Sequence, residues 1–286
     1  MQKRSFFLRF TIFEGMHFSS ATAVRCDHLR LPSDALDRTV DIDVYLPPEP
    51  IFPSSTSLLL INDGQDLPKM PFGSILQALY SEGRIRPLLC VGIHCGEDRK
   101  NEYGMVHSKD YAGRGAKAPF YRKFLFEELM PLLETNYSIR EMSNKAIAGF
   151  SLGGLSALDL CWLHPEVFSL AGVFSGALWW RSVDKNDPAY SERTSRLMHL
   201  QVRNTPRNPP GRFFFSCGEL DELEDRNRNG VIDAIDDTID LLREMHAKGY
   251  REGRDFAYLQ LSDGKHDVPT WARAFPRFLE WGWGSK

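Results

Sequence analysis

Lys145-Ala146-Ile147-Ala148-Gly149-Phe150-Ser151-Leu152-Gly153-Gly154-Leu155 decides how the rest of the chain is read. The first four residues are apolar and β-prone after Lys145, and the last part opens the Ala/Leu-rich stretch 154–163. Between them, Gly149-Phe150-Ser151-Leu152-Gly153 fits G-x-S-x-G at a sharp strand-to-helix turn. Residues two places either side of the serine must lack side chains for strand and helix to approach. Ser151 is then strained, raised above the strand end, and set at the N-terminus of a helix starting near Gly153. Helix-end amides favour negative charge developing there. Ser151 is the candidate nucleophile.

Outward from this turn, residues 24–46 alternate with period two and end in Val40-Asp41-Ile42-Asp43-Val44-Tyr45-Leu46. That predicts an antiparallel pair of strands with its turn at Pro32-Ser33-Asp34. Apolar runs follow at 58–61, 88–93, 146–148, 170–174, 213–215 and 256–259, with helical patterns at 72–82, 119–135, 153–163, 236–248 and 270–281. Buried strands alternating with amphipathic helices predict a mostly parallel central sheet with helices on both faces. With the N-terminal antiparallel strands, this is the layout of the α/β-hydrolase fold. Residues 24–286 are read as a single domain and 1–23 as an N-terminal extension. The segment 181–212 is read as an excursion over the active-site face.

In that layout the base and its acid follow the last two strands. Of the eight histidines, His266 alone follows the final strand, in Leu261-Ser262-Asp263-Gly264-Lys265-His266-Asp267, where Gly264 lets the loop curl back. The acid should follow Phe213-Phe214-Phe215; Asp221 is best placed, with Glu219 and Glu222 as alternatives. The oxyanion amides are expected from Leu152, directly after the nucleophile, and from Gln65 in Asn62-Asp63-Gly64-Gln65.

Composition narrows the class further. Hydrophobic residues at 42% and charged residues at 26% give an ordinary soluble chain with material for a large core. A net charge of −3 gives no reason to expect nucleic acid or an anionic membrane as partner. No run approaches the ~20 apolar residues of a membrane span. Arg9 and Glu14 interrupt the apolar start, so it does not read as a cleaved signal. The five cysteines are odd in number and lack CxxC spacing, which points to reduced thiols and a cytoplasmic location.

Several dispersed pieces together resemble a known family. They are Leu31-Pro32-Ser33, Val44-Tyr45-Leu46-Pro47, Asp63-Gly64-Gln65, Arg99 with Glu102-Tyr103, Phe126-Glu127-Glu128-Leu129-Met130-Pro131, the Gly149–Gly154 elbow, and Gly264-Lys265-His266-Asp267 with Trp271. Over residues 24–282 the chain is similar to the esterases that include enterochelin esterase, esterase D, feruloyl esterases and the mycolyl-transferring antigens. The resemblance implies that the residue after Asp63-Gly64 gives the second oxyanion amide, which supports Gln65. A G-x-x-D at the strand end likewise supports Asp221. Asp63 stands where the family often has histidine, and an extra acidic segment follows Asp221. Arg99 and Glu102 are read as a structural ion pair. Trp179 and Trp180, after the strand beside the elbow, are candidate walls for an aromatic or sugar-bearing substrate.

The expected activity is hydrolysis of a small to medium carboxylic ester, enterochelin-like or a sugar or phenolic ester, by a serine acyl-enzyme. The alternatives are an acyltransferase using the same intermediate, or a non-catalytic binding protein on this scaffold. The chemistry requires no cofactor. A structural calcium ion is nonetheless suggested by Asp225-Arg226-Asn227-Arg228-Asn229-Gly230-Val231-Ile232-Asp233, which matches the start of an EF-hand loop. Its ligands would be Asp225, Asn227, Asn229, the Val231 carbonyl, Asp233 and Asp236, followed by an exiting helix from Asp237.

Overall fold

The alternation read in residues 24–46 folds as a hairpin of β1 (Arg25–Ser33) and β2 (Arg38–Leu46), paired from Arg25–Leu46 to Ser33–Arg38. Its turn is residues 34–37, so Pro32 and Ser33 still belong to β1. Asp37 closes the turn at φ 53°, a conformation that short Asp side chains tolerate. The computed structural model describes residues 23–48 and 56–285, apart from 138, 140, 141, 143 and 207. The proposed extension therefore lies, except for its last residue, outside the described residues.

Six further strands complete the sheet: β3 (Ser57–Asn62), β4 (Leu88–Ile93), β5 (Lys145–Phe150), β6 (Leu170–Phe174), β7 (Arg212–Leu220) and β8 (Phe256–Lys265). Their order is β1-β2-β4-β3-β5-β6-β7-β8, and every pairing from β4 to β8 is parallel. After β3 the chain steps one way to β4, then returns to place β5 on the other side of β3. The loops after β3 and β5 thus leave the carboxyl ends side by side, which is where open α/β sheets form their crevice.

The helices are α1 (Phe72–Ser81), α2 (Arg99–Glu102), α3 (Ala118–Lys123), α4 (Met130–Tyr137), α5 (Leu152–Leu163), α6 (Glu192–Ser195), α7 (Leu197–Asn204), α8 (Asp233–Ala247) and α9 (Val268–Trp283). They cover both faces. Leu59 and Ile61 of β3 belong to the same core layer as Phe72 of α1 and Phe275 and Phe278 of α9, whereas Leu58 and Leu60 belong to the layer holding Leu155, Met198 and Leu241. Phe174 stacks on Phe275 with centroids 4.8 Å apart, and Phe150 on Trp271 at 4.9 Å. Burying one such ring is worth about 1.5–3 kcal/mol. These rings clamp β5, β6 and α9, the three elements that flank the candidate site.

The pattern at 119–135 resolves into α3, a π-helical stretch Phe124–Leu129, and α4. Pro131 has no N–H to donate to the carbonyl one turn before it, and the widened turn there accommodates that loss. Among the described residues, no helix is long and apolar enough to cross a membrane.

Candidate active site

Ser151 sits between β5 and α5 at φ 54°, ψ −119°, a conformation that non-glycine residues rarely adopt. The flanking glycines have a steric reason. A Cβ on Gly149 would lie 2.4 Å from the carbonyl of Gly153, and one on Gly153 would lie 2.6 Å from Asp63. Ser151 is fixed by backbone bonds from its N–H to Phe174 (2.9 Å) and to its carbonyl from Ala177 (3.0 Å). Leu152 opens α5, so its N–H has no acceptor within the helix. Gln65 lies in the single 3-10 turn Gly64–Asp66 after β3, whose first amides are free for the same reason. Its side chain is tied at both ends to Cys95, donating to Sγ (3.2 Å) and accepting from the backbone N–H (3.1 Å).

Asp63, at φ 61°, joins these two loops. Its carboxylate takes a two-pronged pair of bonds from Arg99 at 2.6 and 2.7 Å, and Arg99 also donates to the Phe150 carbonyl at 3.2 Å. The expected Arg99–Glu102 pair is therefore corrected: Glu102 pairs with Arg38 at 2.7 Å. Helical spacing suggested neighbours, but the partners come from the β3 turn and from the start of β2. Asp63 and Arg99 are part of the site's framework, and sequence reasoning assigned them no such role.

β7 and β8 run further than their apolar cores suggested. Gly218 and Gly264 lie so close that a Cβ on Gly218 would stand 2.3 Å from Gly264. The role of Gly264 is thus this strand contact, not a curling loop. Asp221 and His266 each follow directly on the end of a strand, β7 and β8. Asp221 is buried, and neither carboxylate oxygen has a hydrogen-bond partner. Burial pushes this carboxyl up, against the downward pull of the nearby His266 charge. The His266 ring is set edge-on to Trp271 at 5.4 Å and remains reachable from solvent. Its pKa is lowered, first by crowding among protein atoms and then by the Arg99 charge, against an upward pull from Asp221. Of the other two acids, Glu219 is exposed and accepts from Gln260 at 2.7 Å. Glu222 is half-buried, with its carboxyl pushed up by burial. Ser175, a residue the sequence did not single out, has φ 46° and accepts from Trp271 Nε1 at 3.0 Å, beside Asp221.

The tryptophan pair divides. Trp180 is fully buried and donates to the Ser108 carbonyl at 2.9 Å, so it cannot wall a substrate site. Gly104 and Gly115 make room for it; a Cβ on either would meet its ring at 2.8 Å. Trp179 is half-buried, with the Arg114 guanidinium 4.8 Å and that of Arg181 5.8 Å from its ring. Both arginines also approach Tyr111, which is 41% exposed. Hollows of about 570 and 470 Å³ lie elsewhere, lined by residues such as Arg212 and Tyr250 or Ile239 and His246. Neither contains the nucleophile, so chemistry rather than cavity size locates the site.

In the acidic segment, Asp225 accepts from the N–H groups of Asn229 (3.1 Å) and Gly230 (2.9 Å), and Asn229 Oδ1 from Val231 N–H (2.8 Å). Asn227 and Asn229 both reach Asp236, at 2.7 and 2.8 Å. Four of the expected ligands thus converge. Asp233 accepts from the Arg226 amide at 2.8 Å and pairs with its guanidinium at 3.2 Å, both through Oδ1. The following helix begins at Asp233, four residues earlier than expected.

Residues 33–281 match the family model described as "Putative esterase". The ferri-bacillibactin esterase BesA of Bacillus subtilis (strain 168) is 25% identical over 65% of this chain and 67% of its own length. The protein YbbA of the same organism is 23% identical over 84% of this chain and 91% of its own. The crystal structure of enterochelin esterase from Shigella flexneri superposes with a TM-score of 0.68 at 18% identity, over 89% of this chain and 57% of that one. The chain therefore spans less than two thirds of that enterochelin esterase. The fold is that of the α/β-hydrolases, and these matches support a carboxylic-ester hydrolase. With most of its length matched, the chain belongs to the family of esterases that this model defines.

Proposed function

We propose that the protein is a serine carboxylic-ester hydrolase working through an acyl-enzyme on Ser151. The observation that carries this is the strained Ser151 at the head of α5, at the crevice where the β3 and β5 loops meet. His266 takes the Ser151 proton as Oγ attacks the ester carbonyl, then gives it to the leaving alkoxide. Water enters on the same base and releases the acid. Asp221 holds the imidazole in the required tautomer and stabilises the imidazolium. The amides of Leu152 and Gln65 receive the oxyanion.

The substrate is a small to medium ester with a planar or acidic part. The names of its relatives, which include enterochelin and ferri-bacillibactin esterases, support this, as does Trp179 between Arg114 and Arg181. The acidic loop is proposed as a structural calcium site held by Asp225, Asn227, Asn229 and Asp236, where the ion would brace the chain just after Asp221.

An enterochelin-type lactone, a feruloyl ester, an acetylated sugar and a p-nitrophenyl ester should be assayed with and without an alcohol acceptor. Ser151→Ala should reduce turnover of every ester cleaved by several orders of magnitude. A fluorophosphonate should label Ser151 and no other serine. Activity within tenfold of the wild type in Ser151→Ala would remove the proposal.

A further inference from the structure

Far along the sheet from the nucleophile, the β1–β2 hairpin gathers a thiol, an imidazole and a carboxylate. His28 lies opposite Asp43 in the register, and Cys26 opposite Tyr45. Residues two apart on a strand share a face, so Cys26, His28 and Asp43 project together. Their donor atoms all lie within 4.8 Å of one another. On the other side of β2, Asp43 stands opposite Gly92, and the chain then brings His94 back to Asp43. His28 Nδ1 is 2.6 Å from one Asp43 oxygen and His94 Nε2 is 2.9 Å from the other.

Asp43 differs from the buried carboxylates that face arginine, and from Asp159, which is bonded only by uncharged donors. Asp43 is only 4% exposed. The buried carboxylates Asp63, Asp110, Asp237 and Glu102 each face an arginine. Asp43 instead pairs with two imidazoles and has a thiol nearby. A carboxylate removed from water needs a compensating charge, and a metal ion would provide one.

We propose that Cys26, His28 and Asp43 form a binding site for a zinc-type divalent transition metal. Sulfur, nitrogen and oxygen donors together suit zinc, whereas calcium and magnesium select all-oxygen sets. Ligands at roughly 2.0–2.3 Å from a tetrahedral ion stand about 3.4 Å apart, so the His28–Asp43 pair, now at 2.6 Å, must open slightly and any wider gap to the thiol must close. The His28 side chain is 75% exposed, so solvent leaves it room to move. On binding, the Cys26 thiol loses its proton to solvent and the sulfur takes the ion. His28 coordinates through a ring lone pair and Asp43 through one oxygen, while water completes the shell. His94 keeps its bond to the second Asp43 oxygen and so orients the carboxylate. The ion would fasten the edge strand β1 to β2, and through His94 to the turn where Cys95 holds Gln65.

The full chain, stripped of metal, should be titrated with cobalt(II) and then zinc. Cobalt should produce a thiolate-to-metal absorption band that Cys26→Ser abolishes and Cys95→Ser keeps. Zinc should bind with one equivalent at this site and raise the melting temperature. His28→Ala, which alters an exposed side chain, should weaken zinc roughly tenfold or more and erase the rise in melting temperature. Absence of the thiolate band in the wild type would overturn the site, as would its survival in Cys26→Ser or unchanged zinc affinity in His28→Ala.

Discussion

Buried charge is handled in opposite ways around Asp221 and around Asp237. Asp221 is buried with both oxygens unpartnered, beside Ser175, which is held at positive φ. Asp237 is buried between two guanidinium groups, accepting from Arg196 at 2.8 Å and Arg226 at 2.6 Å. Arg196 reaches on to Asp240, and Arg226 to Glu192 and Asp233. One region stores strain and an unmet hydrogen bond, which suits a group that must meet an imidazolium during reaction. The other offsets its carboxylate with two arginines, both on Asp237 Oδ1 while Oδ2 has no partner, and holds α6, α7 and α8 together. The difference between the two carboxylates is one of charge: two arginines are bonded to Asp237 and no cation is bonded to Asp221.

After the loss expected for Ser151→Ala, the largest break in this comparison is Asp221→Asn. It keeps the shape and should cut turnover by about 10³–10⁴ with little change in melting temperature, because the imidazole loses its tautomer partner. The working base must be neutral, and the His266 pKa is held below the ordinary histidine value. The rate should therefore rise with pH through a midpoint below ~6.5. Removing the Arg99 charge should move that midpoint upward. If Glu219→Gln or Glu222→Gln is damaging while Asp221→Asn is mild, the acid is misassigned.

The converse break is Arg226→Ala. It leaves Asp237 and Asp233 without one of their cations, and should destabilise the fold by about 3–5 kcal/mol. Turnover per folded molecule, normalised by fluorophosphonate labelling, should remain. A large fall in turnover at unchanged stability would show that the network serves the site and not only the scaffold.

What the sequence made legible follows the same division. The elbow could be read because Gly149 and Gly153 answer to a local steric demand within five residues. His266 and Asp221 could be placed because they follow strands whose order is fixed by a simple alternation. Partners distant in sequence were not readable. Arg99 lies three residues from Glu102, yet it bonds to Asp63, 36 residues away. Which tryptophan is buried depends on Gly104 and Gly115, both in a loop whose path only the tertiary structure defines. Asp233 occupies position nine of a loop motif, but Arg226, inside the same motif, competes for it.

A smaller effect sharpens the picture of the arginine network through pH. His199 is buried, its Nε2 bonded to the Asp237 carbonyl at 2.8 Å, and burial lowers its pKa to about 3. The folded state therefore refuses a proton that the unfolded chain accepts near 6.5. Stability is full above ~6.5 and falls as pH drops toward the folded pKa, by about 1.4 kcal/mol per unit, or about 2 kcal/mol at pH 5. Urea midpoints across pH 5–8 should show this slope, and His199→Gln should flatten it. An unchanged slope in the variant would assign the acid sensitivity to other groups.

The smallest expected effect belongs to the loop between the two regions. Asp225, Asn227, Asn229 and Asp236 already hold the turn through their own hydrogen bonds. A bound calcium ion would replace the contacts to Asp236 more than it would build new structure. Asp236 is also one carbon shorter than the glutamate that usually closes such loops, and Asp233 is committed to Arg226. Both features argue for weak binding. At tenfold excess of calcium over its dissociation constant, the gain is about 1.4 kcal/mol. Chelation should thus lower the melting temperature by a few degrees, and calcium, but not magnesium at the same concentration, should restore it. Asp225→Ala should remove that dependence while Ser151 still reacts with fluorophosphonate. Because Asp225 lies four residues beyond Asp221, a parallel loss of turnover on chelation would mean that the ion also steadies the catalytic acid. An unchanged melting temperature, with no calcium found by elemental analysis after purification in its presence, would leave the loop as a self-bonded turn.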